Sequence, residues 1–314
     1  MSGAFRVEHV DAAEAVRVGG PILRAAWSRP GLHYSDAYLA WEFGMPGEGA
    51  LFTTVFEGGE PVAFMASIPR NAVFRSALEP VLASSFVSVL PRAAGRGVAR
   101  ELQAAHLGRL LSERRKVVSF AWSGSRGART FENASRGVGF HFTALTPRAV
   151  LAVLPREARE PEPAARLLSD PSPASHHTPE LLCASPSPAQ LEHYGRDPRQ
   201  RVFLQVDGPR GATASFVLAE VLGETGVDRV VSLDLLDAPT DVDAAALRAL
   251  VRAAVAHFAE RASTPVVSVS ASEGLPPETA RAAGWRRTPT TFDARWLTPL
   301  PDEPHPRGTT LEIV

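Results

Sequence analysis

One order of elements is written into this chain twice: strand, long helix, strand, short helix, glycine–aromatic pair, strand. In the first copy Val81–Leu90 has the Val and Ser content of a strand, Gly97 to Arg114 has helical spacing, and Val117–Trp122 is apolar enough for a buried strand. Thr130–Arg136 then gives a short helix, and Gly139-Phe140 opens a last strand region to Leu154. In the second copy the same places fall at Arg229–Leu236, Asp243–Arg261, Pro265–Ala271, Pro277–Ala283, Gly284-Trp285 and Thr290–Leu297. Its long helix sets Leu247, Leu250, Val251, Ala254 and Phe258 on one face at spacings of three and four. A hairpin precedes each copy: Ala50–Glu57 and Pro61–Ile68 around Gly58-Gly59-Glu60, then Arg201–Val206 and Ala212–Val221 around Asp207–Gly211. The first copy also has a lead-in: a strand at Phe5–Val10, a helix capped by Asp11 running to Trp27, and a helical pattern over His33–Phe43. A repeat of this kind predicts a mixed α/β fold (α+β, with a mixed central sheet flanked by helices), present in tandem.

Between the copies lies Pro155–Pro188, with eight prolines among Ser, Glu and Ala and no sustained period. Proline fixes φ and lacks a backbone donor, so the stretch predicts an extended linker. The expected organisation is a first domain over 1–154, a linker over 155–190, a second domain over 191–300 and a tail over 301–314. His176, His177 and Cys183 fall in or near the linker, short of the three or four spaced ligands a metal needs.

Composition narrows the setting. The net charge of −1 gives no general attraction to nucleic acid or to an anionic membrane. Lys116 is the only lysine, which with the abundant Ala and Pro reflects GC-rich bacterial coding more than function. A single cysteine cannot form an internal disulfide, no apolar run approaches the roughly 18–20 residues of a membrane span, and the start lacks a secretory pattern. A cytoplasmic protein is expected.

The segment Val87-Ser88-Val89-Leu90-Pro91-Arg92-Ala93-Ala94-Gly95-Arg96-Gly97-Val98-Ala99 carries the sharpest chemical signal. A strand runs into a turn with two glycines, and a helix starts there. Small residues let the backbone wrap a ligand, and the helix start offers unpaired N–H groups and a positive dipole end. Such a turn can hold a phosphate or pyrophosphate. Arg92, Arg96 and Arg100 add positive charge. The Gly-Lys-Ser/Thr ending of a P-loop is missing, and so is the Gly-x-Gly-x-x-Gly of a dinucleotide fold.

In order and in turn, residues 4–154 resemble the GNAT acyltransferase superfamily. Val87-x-Val89-x-Pro91 resembles the end of its fourth strand, Gly95-Arg96-Gly97-Val98-Ala99 its pyrophosphate loop, and Gly139-Phe140 its Gly-Phe after the fourth helix. The whole is similar to a tandem GNAT chain with a degenerate second copy. The resemblance implies acetyl-CoA as acyl donor, held by Val87, Ser88, Val89, Arg92, Gly95, Arg96, Gly97, Val98 and Ala99, with no metal. It implies an amine acceptor, a small molecule or a peptide, lined by Tyr34, Tyr38 and Trp41. Two positions depart from the pattern. The usual Gln/Arg is Ala94, with Arg92 nearby as substitute, and the usual general-acid tyrosine is Ser135.

An amine must be deprotonated before it attacks. Val81–Leu90 holds only Ser84, Ser85 and Ser88 among its polar residues, so a base must come from Glu42, Asp36, His33, Glu79 or Glu132. The resemblance puts Ser135 at the general-acid position, and with Glu132 and Glu42 as base candidates it makes up the expected catalytic set. His106, among Val98, Leu102 and Leu110, is expected to be a packed histidine. In the second copy Leu236-Asp237-Ala238-Pro239-Thr240-Asp241-Val242-Asp243 has no glycine and three aspartates, which suits helix capping better than anion binding. One active site, in the first domain, is therefore expected. Two alternatives stand beside it: a CoA-binding protein without turnover, and an aminoacyl-tRNA-dependent transferase, which the near-neutral charge does not favour. No membrane partner is expected, and the sequence leaves the oligomeric state open.

Overall fold

In the computed structural model, residues 5–27, 31–154, 163–172, 175–222, 226–262, 264–268 and 275–312 are described. The chain runs β1 (Phe5–Val10), α1 (Ala12–Ala26), β2 (Gly31–Leu32), α2 (Asp36–Phe43), β3 (Leu51–Glu57), β4 (Glu60–Phe74) and β5 (Ala77–Val89). A 3-10 turn over Pro91–Ala93 leads to α3 (Val98–Ser112), β6 (Val117–Trp122), α4 (Arg126–Val138), β7 (His141–Ala144) and β8 (Arg148–Val153). Then come β9 (Ala165–Leu167), β10 (Leu181–Ala184), α5 (Pro188–Tyr194), β11 (Val202–Val206), β12 (Ala212–Leu222) and β13 (Val227–Asp237). The chain closes with α6 (Ala244–His257), β14 (Thr264–Ser268), α7 (Pro277–Ala282), β15 (Arg286–Thr298) and β16 (Gly308–Thr309).

Local chemistry sets these ends. The Asp11 side chain accepts the Glu14 N–H at 2.8 Å to start α1, and Ser35, Ser125 and Asp243 cap α2, α4 and α6 in the same way. Because Ser35 is the cap, α2 begins later than His33, and Tyr34 lies outside it. Gly139 and Gly284 both take left-handed backbone, φ +103° and +92°, after α4 and α7. The next amides reach back five residues in each case, Phe140 to Ser135 at 3.0 Å and Trp285 to Ala280 at 2.9 Å. The duplication is thus visible in matching helix stops. Two strands outrun their expected bounds: β4 and β5 form one long hairpin that turns at Arg75-Ser76 without a glycine.

The strands join in one hydrogen-bonded path, β1-β3-β4-β5-β6-β15-β8-β14-β13-β12-β11-β9. The two copies place a parallel pair alike, β5 with β6 and β13 with β14, and β10 with β16 is a further parallel pair. Two strands trade places between the halves. β15, from the second half, pairs antiparallel with β6 and β7 of the first, and β8, from the first, pairs with β14 of the second. The proline-rich stretch also differs from a free linker: its described residues include β9, paired with β11, and β10, paired with β4 and β16. Cys183 is buried there opposite Val73. Residues 155–162 and 269–271 of the expected linker and strand lie outside the described residues.

Helices cover both faces of the first half. α1 and α2 enclose Ile22, Leu39, Phe64 and Phe86, while α3 and α4 enclose Leu102, Leu107, Val117 and Phe131. Gly19 lets α1 settle onto Phe64; a Cβ there would lie 2.8 Å from the ring. α6 covers the second half over Phe216, Leu233 and Leu250. At the join, Trp296 of β15 packs with Val118, Phe120 and Leu182. Because Trp296 ties strands from both halves, Trp296→Ala should cost about 3–5 kcal/mol. Urea unfolding should show both halves lost in one transition of lowered midpoint; loss of one half alone would contradict the shared sheet.

Candidate acyl-donor cleft

β5 and β6 pair over only three rungs, Leu82–Val117, Ala83–Val118 and Ser84–Ser119. Beyond Ser84, among the described residues, β5 pairs only with β4 and β6 only with β15. The parting coincides with a bulge at which Phe86 and Val87 stand opposite the single Met65. Phe86 takes left-handed backbone, φ +59°, rare for a bulky residue. Its buried ring sits edge-on to Tyr34 and Phe43 at 5.4 Å each. One edge of β5, from Phe86 to Val89, therefore has no strand partner among the described residues, and the gap it leaves toward β6 is the candidate cleft.

The glycine turn follows the end of β5 by one 3-10 turn and opens α3. Gly95 and Gly97 have φ +76° and +85°, and a Cβ on either would meet nothing within 4 Å. Gly97 is the N-cap of α3 and no side chain caps that helix. Its carbonyl accepts from Arg100 and Glu101, the Ala94 amide bonds the Pro91 carbonyl at 3.2 Å, and among the described residues the Gly95, Arg96 and Gly97 amides have no backbone partner. Ala94, Gly95, Arg96 and Gly97 are exposed. Unpartnered amides at a helix start are groups able to hold an anion.

The other expected donor-site residues divide. Val87 and Val89 pack toward α3 and α4, and Ser88, on the opposite face, accepts from Trp27 Nε1 at 2.8 Å. Val98 is buried, Ala99 half-buried and Arg92 exposed. Arg96 forks onto Glu57, with Nη1 to Oε2 at 2.9 Å, and its guanidinium holds that carboxyl below the usual carboxylate range. Its charge is therefore shared with Glu57.

The expected catalytic set does not come together. Ser135 and Glu132 lie on the α3/α4 face, whereas Glu42 belongs to α2 on the other. The buried Ser135 hydroxyl turns back into its own helix, shared between the carbonyls of Phe131 and Glu132, both at 2.9 Å. Glu132 pairs with Arg136 at 3.1 Å. Glu42 is 1% exposed and bonded to Arg70; burial pushes it up despite that partner. Asp36 and Glu79 pair with Arg24 and Lys116, each at 2.7 Å. Tyr34, Tyr38 and Trp41 are buried in a stack rather than lining an open surface. Arg199 lies 4.6 Å over Tyr38, and Trp41 donates to the His193 carbonyl at 3.0 Å, so this stack is where α2 meets the second half.

Sequence reasoning missed a buried polar chain beneath α3. His9 Nδ1 bonds Thr53 Oγ1 at 3.0 Å, and Thr53 Oγ1 bonds His106 Nδ1 at 2.7 Å. His106 Nε2 bonds Ser67 Oγ at 2.7 Å, and Ser67 bonds Ser84. His9 is exposed, while the other four are at most 1% exposed. Burial, with His9 adding, pushes His106 down to about 3. Its only trace in the sequence is three small hydroxyl residues at core positions of apolar strands.

In the second half the turn after β13 is filled from within. Asp237 accepts from the Ser175 and His176 amides at 2.8 Å each, and Asp243 accepts from Ala245 N at 2.9 Å. Among the described residues no group of three His, Cys, Asp or Glu side chains could hold a metal, and no helix is long and apolar enough to cross a membrane.

A parallel pair that splays at a bulge, an uncapped helix after a glycine turn, and a second copy joined through one sheet make a mixed α/β fold that resembles those of GNAT acyltransferase structures. The whole chain superposes on Saccharomyces cerevisiae N-myristoyltransferase with bound myristoyl-CoA, covering 100% of this chain and 86% of that one at 10% identity and TM-score 0.64. A GCN5-related N-acetyltransferase from Anabaena variabilis matches 93% of this chain and 72% of its own at 13% identity and TM-score 0.54. One from Kribbella flavida matches 94% and 71% at 13% identity and TM-score 0.54. The likeness is one of fold. No protein-family model matches the chain, and no curated protein matches it in sequence.

The buried histidine has a consequence for stability. An unfolded imidazole takes a proton below about pH 6.5, but folded His106 resists it until about 3. The unfolded state then binds more protons, so the contribution is complete above the unfolded value and lost as pH falls. Unfolding free energy should drop by about 1.4 kcal/mol per pH unit between 6 and 4 from this group. Urea titrations at stepped pH should show a steeper fall for wild type than for His106→Gln; parallel curves would contradict it.

Proposed function

We propose that the chain is an acyl-CoA-dependent N-acyltransferase that moves an acetyl group from acetyl-CoA to an amine, with its one active site in residues 1–154. The uncapped, exposed turn at Gly95–Ala99 beside the open edge of β5 carries this reading. The amides of the turn hold the pyrophosphate, and the edge from Phe86 to Val89 holds the pantetheine arm as an added strand would be held. The thioester supplies an activated acyl carbon. An amine, a small molecule or the end of a peptide, attacks it as the C–S bond breaks. The second half braces the acceptor side through Arg199 over Tyr38 and Trp41. The single buried cysteine suits a cytoplasmic setting.

A second reading, CoA binding without turnover, is favoured by one observation: the Ser135 hydroxyl is committed to backbone carbonyls. Ala94 offers a test that leaves the fold alone, because it is exposed with ordinary backbone, φ −65°. Calorimetric titration with acetyl-CoA should show Ala94→Glu weakening binding about tenfold or more, as expected for a carboxylate set beside a pyrophosphate, while Ala94→Arg strengthens it. Equal affinities in both variants would remove the turn from the donor site. Release of free thiol from acetyl-CoA with an added amine then separates transfer from binding alone.

A further inference from the structure

The donor site just described leaves one chemical need unmet. When the C–S bond breaks, the departing thiolate must gain a proton; the Ser135 hydroxyl turns back into its own helix and the Glu132 carboxylate is paired with Arg136. The chain His9–Thr53–His106–Ser67–Ser84 begins at a solvent-exposed imidazole and ends on the last rung that β5 and β6 share. Ser84 thus stands at the closed end of the cleft, on the α3 side. Val89, at the end of β5 before the glycine turn, and Ser84 stand opposite Ala63 and Ser67 of β4, four residues apart, about 14 Å at a rise near 3.4 Å. That is about the reach of an extended pantetheine arm, so a donor anchored at Gly95–Ala99 brings its sulfur toward Ser84.

We propose that these five residues form a proton relay to the leaving thiolate, with Ser84 as the catalytic donor and the others passing protons to it. The proposal rests on the acyl-donor reading of the cleft. Each member can both give and accept a hydrogen bond, and neutral imidazole carries a proton on one nitrogen while accepting at the other. In one concerted shift Ser84 gives its hydroxyl proton to sulfur and takes one from Ser67. Ser67 takes the proton of His106 Nε2, His106 Nδ1 takes that of Thr53, and Thr53 takes that of His9 Nδ1. His9 recovers its proton from water. No imidazolium forms at His106, in keeping with a burial that disfavours the charged ring. Arg109 of α3 and Glu113, the C-cap of that helix, together with His106, are the ionisable groups that bear on His9.

The test uses the full chain, acetyl-CoA as donor and hydroxylamine as acceptor, with thiol release as the readout. Thr53→Val keeps the shape of the side chain and removes the link between the histidines; Ser84→Ala removes only the terminal hydroxyl. Each should lower kcat at least tenfold with KM for acetyl-CoA unchanged, and Thr53→Ser should restore it. The double variant should be no slower than either single one, because a relay fails as a unit. Should Thr53→Val fail to fold, Ser84→Ala alone decides. A kcat within threefold of wild type in Ser84→Ala, or effects that multiply in the double variant, would overturn the relay. Wild type that binds acetyl-CoA yet releases no thiol would overturn it too, while absence of acetyl-CoA binding in wild type would bring down the donor reading itself.

Discussion

After Ser84 and Ser119, β5 and β6 stop pairing, and the cleft exists because they do. The parting requires Phe86 in left-handed backbone, which costs an L-residue about 1–2 kcal/mol. Burying a phenylalanine ring returns about 1.5–3 kcal/mol, and Tyr34 and Phe43 supply the surface it is buried against. Packing on the α1/α2 face therefore holds open a gap beside a strand that leads to the glycine turn at the start of α3, on the other face. The aromatic residues of the early helices work on the cleft from behind, by fixing the shape of β5.

A second constraint joins the halves. Arg70, from β4, bonds Glu42 of α2 and reaches Glu312 at 2.8 Å, and Glu312 accepts from Tyr194 of α5 at 2.6 Å. Arg199 and Arg201 share Asp197 nearby, at 2.9 and 3.0 Å. Burial works against ionising Glu312, yet Arg70, Tyr194 and Arg201 hold it below the usual carboxylate range. Such a network contributes little net stability against apolar packing, but losing one partner strands a buried charge at a cost of about 3–5 kcal/mol. It fixes one arrangement of the halves, and the exchange of β8 and β15 does the same through backbone hydrogen bonds.

What the sequence showed and hid follows from the range of each interaction. Asp11, Asp243, Gly139-Phe140 and Gly284-Trp285 act within a turn of chain, and they marked helix starts and stops that the structure places at the same residues. The glycine turn at Gly95–Ala99 was legible for the same reason. The swap of β15 was not, since its pairing with β6 joins residues some 170 positions apart, and nothing in Thr290–Leu297 names that partner. Ser135 and Glu42 were read from position in a pattern, but their occupied hydrogen bonds appear only in three dimensions. His106 looked like a packed histidine and is one; its partners Thr53 and Ser67 come from two other strands.

The central claim is that an acyl-CoA lies along β5 with its pyrophosphate on the turn before α3. Amide hydrogen exchange with and without acetyl-CoA tests it directly, because the groups said to bind are backbone N–H groups. Protection should rise at Gly95–Ala99 and along Phe86–Val89, with residues 237–243 of the second half unchanged. Protection confined to the second half, or none at saturating ligand, would contradict the account.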